Sequence, residues 1–157
     1  ATPGAITAPR AVEEEEMQEE DMDSESPVEV VLVASLKRSP CFCQCPVFEA
    51  KLFSDGSATY EGKNFVEKEG FFQAEAGKEM IKLIQEKAVA IGYFEMEDQY
   101  PSSGKMIKDI PNTITALRQG EKFKQITNNH NSPIELQEFE TYLLDTFESL
   151  SWVKADK

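Results

Sequence analysis

The order of hydrophobic periods along residues 28–157 constrains the fold more than any other feature of this sequence. Segments with strand-like patterns occupy residues 28–76, a helical period follows at residues 77–91, and a hairpin pattern and a second helix complete the chain. Because strands and helices do not alternate one by one, the pattern is not that of a parallel βαβ fold. The sequence therefore predicts a single α+β domain over residues 28–157. We expect a mostly antiparallel sheet of five to six strands with two helices packed on one face.

Strand and turn signals dominate the first half of this segment. Residues 28–36 are rich in β-branched side chains and predict a buried strand. Apolar and charged residues alternate over residues 48–52, which predicts a half-buried second strand. The sequence Ser-Asp-Gly-Ser at residues 54–57 predicts a tight turn, because Gly56 can adopt the positive φ that such turns need. A second hairpin is predicted at residues 113–127, with a turn around Gln119-Gly120.

Two segments have the period of amphipathic helices. The first covers residues 77–91 and ends before Gly92, a residue suited to the left-handed position after a helix. Its apolar residues at helical spacing are Met80, Leu83, Ile84, Ala88 and Ile91. The second begins at Ser132-Pro-Ile-Glu135, which has the pattern of a capping box. Its apolar stripe consists of Leu136, Phe139, Leu143, Phe147 and Leu150.

The first 27 residues differ in composition from the rest of the chain. They contain nine acidic residues against Arg10 alone and no aromatic residue, so their net charge is −8 while residues 28–157 carry −5. Such a segment cannot bury enough apolar surface to offset the entropy lost on ordering. We expect residues 1–27 to be a disordered acidic tether, or else an acidic docking segment for a basic partner.

The overall charge excludes several classes of partner. A net charge of −13 argues against binding to nucleic acid phosphates and to an anionic membrane surface. No run approaches the roughly 18 apolar residues of a membrane-spanning helix. The sequence begins with Ala rather than Met, which fits a processed or a trimmed product, and a spacer that follows a removed signal peptide or a lipid anchor has this kind of composition.

Three cysteines at alternate positions form the most distinctive local motif, Cys41-Phe-Cys43-Gln-Cys45. In an extended segment the outer two would lie about 13 Å apart, whereas a disulfide requires Cα atoms within about 7 Å. A bridge between Cys41 and Cys45 therefore needs a turn, which the flanking prolines permit, and it would leave Cys43 as a free thiol. The motif also fits three reduced structural cysteines, or a metal or redox site that uses all three.

No pattern of residues points to a catalytic site. His130 is the single histidine and lies in a polar loop. Carboxylates at residues 95–98 are close in sequence to Tyr100, and Asp109 follows, but no partner base accompanies them. A hydrolase built on these carboxylates is the weakest of the hypotheses considered.

The residues around the cysteines resemble the signature of a family of uncharacterised bacterial domains. That signature is an Arg followed by Cys-Phe-Gly-x-Cys-Pro-x-Tyr, and this chain has Arg38-Ser-Pro-Cys-Phe-Cys-Gln-Cys-Pro-Val-Phe48. Cys43 stands where the family has Gly, and Phe48 stands where it has Tyr. Weaker matches are Asp55-Gly56, Tyr60-x-Gly62, Gly70 and Asp109-x-Pro111. The resemblance covers residues 30–153 and implies a short secreted or lipid-anchored protein.

These observations lead to one main hypothesis and one alternative. The main hypothesis is a non-enzymatic, extracytoplasmic module of the bacterial cell envelope that binds or assembles with an unknown protein or a small ligand. It needs no cofactor, its loop is stapled by Cys41–Cys45, and its candidate binding residues are Arg38, Tyr100 and Asp109. The alternative is a thiol-based metal-binding or redox protein that uses Cys41, Cys43 and Cys45.

Overall fold

The computed structural model describes residues 29–41 and 44–157 of the chain. Two sequence-based expectations concern residues outside this range: the acidic tether at residues 1–27 and the free thiol of Cys43. Within the described residues, two α-helices accompany one eight-stranded sheet. The helices are α1 (Lys78–Ala90) and α2 (Ile134–Glu148). The strands are β1 (Leu32–Arg38), β2 (Val47–Phe53), β3 (Ser57–Asn64), β4 (Gly70–Glu75), β5 (Gln99–Tyr100), β6 (Thr113–Gln119), β7 (Lys122–Asn128) and β8 (Val153–Lys154).

The sheet is mostly antiparallel, as predicted, and has the order β5-β7-β6-β1-β2-β3-β4-β8. Only the pairing of β5 with β7 is parallel among the strand pairs of the described residues. The prediction of five to six strands was wrong because it missed the edge strands β5 and β8. Each of these strands has two residues, which is too short to produce a periodic sequence pattern. They are strands only because the chain returns to pair with an edge of the sheet.

The predicted turns position the hairpins of the sheet. Gly56 has φ 90° between β2 and β3, and Gly120 has φ 61° between β6 and β7. Gly92 has φ 75° and ψ 32° and follows α1 in the left-handed conformation, which confirms its predicted position. The first strand begins later than predicted, at Leu32, and Val30 before it is half exposed.

The core lies between one face of the sheet and the two helices. Strand register places Leu36 opposite Ala50, and Ala50 opposite Tyr60, so these three residues share the face that the helices cover. Both helices contact β1, the strand near the centre of the sheet. The buried residues that the two helices contribute to this core are Ile84, Ala88, Leu136, Phe139, Leu143 and Phe147.

The predicted helix details are correct in part. In α2, the first four residues of the predicted stripe are buried, and Leu150 packs partly buried after the helix. In α1, Leu83 is 48% exposed, and Ile81 packs against the core instead. The capping box at Ser132 was wrong: α2 begins one residue later, with Pro133 at the N-cap and no side-chain cap. The Ser132 hydroxyl instead accepts a hydrogen bond from Gln137 Nε2 at 3.3 Å.

Within the described part of the chain, no helix combines the length and the hydropathy of a bilayer-spanning segment.

Candidate ligand-binding pocket

A pocket of about 260 Å³ opens between the sheet and the C-terminal half of α2. Five of its twelve lining residues are aromatic: Phe48, Tyr60, Phe65, Phe147 and Trp152. Four lining residues are charged: Arg38, Glu67, Lys68 and Glu148. These residues come from β1, β2, β3, the loop after β3, α2 and the C-terminal segment, so the wall exists only in the folded chain.

Strand register brings the residues of the pocket floor together. Arg38 at the end of β1 is opposite Phe48 in β2, and Phe48 is opposite Gly62 in β3. The Phe48 and Tyr60 rings are stacked with their centroids 5.7 Å apart. The Tyr60 ring also lies 5.6 Å from that of Trp152. Burial raises the pKa of the Tyr60 phenol, and the Glu148 carboxylate adds to this effect, so the phenol stays neutral.

The loop between β3 and β4 closes one side of the pocket by folding over Gly62. A Cβ atom at Gly62 would overlap the carbonyl oxygen of Lys68 and would lie 2.8 Å from Val66 Cγ2. Glycine is therefore needed here for close approach of the backbone. In the same loop Phe65 has φ 53°, a conformation that side chains with a Cβ rarely adopt, and its ring is 48% exposed at the pocket rim.

The C-terminal segment holds the opposite side of the pocket. The Trp152 indole N–H donates a hydrogen bond to the Phe147 carbonyl oxygen at 2.8 Å. Beyond it, β8 pairs with β4, and the Ala155 N–H donates to the Phe71 carbonyl oxygen at 2.9 Å. These bonds fix the indole against the pocket. Trp152 is the single tryptophan of the chain.

Arg38 is a partly buried cation in the wall of the pocket. Within residues 29–41 and 44–157, its guanidinium makes no hydrogen bond or ion pair. It also lines a smaller cavity of about 50 Å³ together with Glu140 and Thr113. The two cavities share Arg38, Phe48 and Leu144 in their walls, so they are adjacent.

Glu140 is a partly buried carboxyl group in the wall of the smaller cavity. Burial raises its pKa, while a hydrogen bond from Asn128 Nδ2 at 2.9 Å and the charge of Arg38 act in the opposite direction. The Oδ1 atom of Asn128 is buried and has no hydrogen-bond partner in the described residues. The polar side chains that line the smaller cavity are Arg38, Thr113, Glu140 and Thr141.

A disulfide joins Cys41 and Cys45 in the loop that follows Arg38, with their Cα atoms 5.8 Å apart. The turn that this short distance requires lies between β1 and β2. With their sulfur atoms joined, the two residues are not thiolates, so a metal site on all three cysteines would require the reduced protein. Among the described residues, no group of three or more His, Cys, Asp and Glu side chains has metal-binding geometry.

The other predicted site residues lie outside the pocket. Tyr100 is buried in β5, three strands from β1, and its hydroxyl accepts a hydrogen bond from the Glu97 N–H at 3.1 Å. Asp109 is exposed on the long connection between β5 and β6. Asp98 pairs with Lys124 at 2.6 Å and is 84% exposed. Of the three candidate binding residues, only Arg38 lines the pocket.

Sequence reasoning missed most of the pocket wall. Trp152 lines the pocket, and no local pattern in the sequence indicates this position. Tyr60 and Gly62 were noted only through the family resemblance, and no local pattern connects them with α2. Their convergence depends on sheet register, which separate segments cannot reveal.

The mixed sheet, the two helices and the recess between them define an α+β domain with an aromatic pocket. Residues 33–147 match the family model described as domain of unknown function DUF6438, and the chain belongs to that family. A comparison with curated proteins gives no match. The matched region contains Arg38, both disulfide cysteines and most of the pocket, and it ends before Glu148 and Trp152.

Proposed function

We propose that this protein is a non-enzymatic binding module that takes a small ligand in the aromatic pocket. The observation that carries the proposal is the lining of the pocket, where five aromatic rings from separate parts of the chain face one open recess. Apolar recesses with a few charged groups are the usual form of small-molecule sites. Phe65 supports this role, because it lines the pocket while it is 48% exposed and has a φ of 53° that is unfavourable for phenylalanine.

The size of the pocket limits the ligand. At about 260 Å³ it is just below the range of about 300–1,000 Å³ that drug-sized ligands occupy. A single ring with a short substituent fits such a volume, whereas a fused polycyclic compound does not.

Trp152 provides a direct test of pocket binding, since it is the single tryptophan and lies in the wall. Fragments bearing one ring should change its fluorescence in a saturable way. Phe65→Asn should weaken this binding, because Asn tolerates the left-handed conformation but removes the ring. Phe123→Asn is the matched control, since Phe123 is 45% exposed but lies on β7 away from the pocket.

Two results would contradict the proposal. One is that no fragment alters Trp152 emission or the amide chemical shifts of the pocket residues at millimolar concentration. The other is that the Phe123 variant loses as much affinity as the Phe65 variant.

The protein is further proposed to act outside the cytoplasm, at the bacterial cell envelope. The Cys41–Cys45 disulfide supports this location, because disulfides persist mainly in oxidising compartments. The absence of a spanning helix from the described residues is compatible with it.

The thiol state of protein isolated with rapid alkylation tests the proposed location. We expect an intact mass about 2 Da below the fully reduced form and one alkylated cysteine per chain. Three alkylated thiols would contradict the location. Thiols that react only after a chelator is added would favour the metal-binding alternative with Cys41, Cys43 and Cys45.

A further inference from the structure

The burial and the hydrogen bonding of Arg38 restrict the chemistry of the ligand. Arg38 is partly buried in the pocket wall, and its guanidinium has no hydrogen-bond or ion-pair partner within residues 29–41 and 44–157. Withdrawing a cation from water is unfavourable unless an acceptor compensates for the lost hydration. Glu140 does not provide this compensation by direct contact, because no ion pair joins the two residues within 4.0 Å. The donors of Arg38 therefore remain available to a ligand in the pocket that Arg38 lines.

Three other charged side chains line the pocket. Glu67 and Glu148 are exposed, so water compensates for their charges, whereas Lys68 is partly buried like Arg38. The partly buried charges of the pocket, those of Arg38 and Lys68, are thus both positive. They attract an anion and repel a cation held by the same rings.

Geometry favours one planar anionic group next to one ring. A guanidinium presents its donors in a fork that matches the two oxygens of a carboxylate. Arg38 is two strands from Gly62, a backbone separation of roughly 10 Å. Arg38, Phe48 and Gly62 form a row across the strands, and the rings of Tyr60 and Trp152 lie next to it. A short arm is therefore enough to connect a ring on these side chains with an anion on Arg38.

We propose that the pocket binds a small ring-bearing carboxylate, with its ring against Tyr60 and Trp152 and its carboxylate paired with the Arg38 guanidinium. This inference depends on the proposed binding function and specifies the ligand class. The rim carboxylates Glu67 and Glu148 limit the ligand to a single negative charge, because a second anionic group would lie beside them.

Three probes with the same ring and the same arm separate the contribution of the charged group to the affinity from that of the ring. They are 3-phenylpropionate, the neutral 3-phenylpropionamide, and the cationic 3-phenylpropyltrimethylammonium, each titrated into the full chain and followed by Trp152 fluorescence and calorimetry. We expect the carboxylate to bind at least about tenfold more tightly than the amide, as a charge-assisted hydrogen bond does. The cation should bind more weakly than either.

Variants of Arg38 test its role. In Arg38→Met, the ratio of the affinity for the carboxylate to that for the amide should fall to about one. In Arg38→Lys, this ratio should stay above one but below that of the wild type, because lysine keeps the charge without the forked donors. Arg118→Met is the matched control. Arg118 is also partly buried in the sheet, but its guanidinium donates to the Leu32 carbonyl oxygen and stacks on Phe123. This control should leave the preference unchanged.

The possible results separate this inference from the proposed function. Equal binding of carboxylate and amide, or tighter binding of the cation, overturns the ligand class while pocket binding stands. Binding of other ring fragments without any binding of 3-phenylpropionate has the same meaning. If no ring compound binds at all, both proposals fail. The comparison of probes on the unmodified chain decides the question even if Arg38→Met does not fold.

Discussion

Gly62 is the residue on which the shape of the pocket depends most directly. The loop after β3 crosses over it so closely that a Cβ atom would overlap the Lys68 carbonyl oxygen. Neighbouring residues of that loop, Phe65 and Val66, form one side of the pocket. The family resemblance singled out this glycine, but its reason is visible only when the loop and the strand are seen together.

Gly62→Ala should therefore displace the loop and destabilise the protein by about 2 kcal/mol or more, as overpacking does. Urea denaturation measures the loss, and Trp152 emission reports the altered pocket. Gly104→Ala is the comparison, because nothing lies within 4 Å of a Cβ there although φ is +94°. It should lose about 1 kcal/mol through backbone strain and leave the emission unchanged. Equal effects of the two substitutions would contradict the steric explanation.

Glu140 should make stability depend on pH. Burial raises its pKa in the folded protein above the ordinary value of 4.5, against the opposing effects of Asn128 and Arg38. The folded state then binds the proton more tightly than the unfolded state, so the contribution of this group to stability falls as the pH rises through the interval between the two pKa values. At pH values above both pKa values, Glu140 is ionised in the folded and the unfolded state, and its desolvation lowers the free energy of unfolding by the full amount.

Replacement by glutamine removes this dependence. Glu140→Gln keeps an acceptor for Asn128 Nδ2, and its stability relative to the wild type should increase as the pH rises from below 4.5 to 7.5. Denaturation midpoints at several pH values measure the difference. Glu138→Gln, an exposed position on the same helix, is the control. A stability difference that stays constant over this pH range would show that the carboxyl group is not desolvated.

At the level of elements, the two helices differ in how well their sequences define their buried faces. In α2 the apolar residues form one narrow stripe, so its orientation follows from the period alone. In α1 apolar residues at 80, 81, 83 and 84 allow two orientations that differ by a modest rotation. Contacts with β1, β6 and α2 select the orientation in which Ile81 packs inward and Leu83 faces solvent.

Two leucines test this assignment, because both belong to the predicted helix stripes. Leu143 in α2 is fully buried, and Leu143→Ala should cost about 2–5 kcal/mol through lost burial and a cavity. Leu83 in α1 is 48% exposed, and Leu83→Ala should change stability by less than about 0.5 kcal/mol. Chemical denaturation of the two variants measures both values. A loss at Leu83 close to that at Leu143 would mean that α1 is rotated from its position in the structure.

At the level of the whole molecule, the two ends of the chain should contribute unequally to stability. We propose that residues 1–27 are a tether, since their composition offers almost nothing to bury. Their deletion should shift Tm by less than about 2 °C. Deletion of residues 150–157 should lower Tm by several degrees, because it removes Trp152 and the pairing of β8 with β4. A comparable loss from the first deletion would show that the acidic segment packs on the domain.

The sequence by itself determined the features that depend on neighbouring residues. These are the antiparallel α+β class, the turns at Gly56 and Gly120, the end of α1 at Gly92, and the buried face of α2. Local periodicity and the conformational range of glycine carry this information within a few residues. The short edge strands and the rotation of α1 lack such a signal.

Only the tertiary structure decided the pocket. Arg38, Gly62, Phe147 and Trp152 are far apart along the chain, and each has an ordinary local interpretation as a strand end, a strand glycine, a helix core residue or a chain terminus. They meet because burial of the sheet face selects one strand order and one register, and because α2 and the C-terminal segment then pack beside that row. This convergence is a long-range consequence of burying the core, which no local pattern in the sequence specifies.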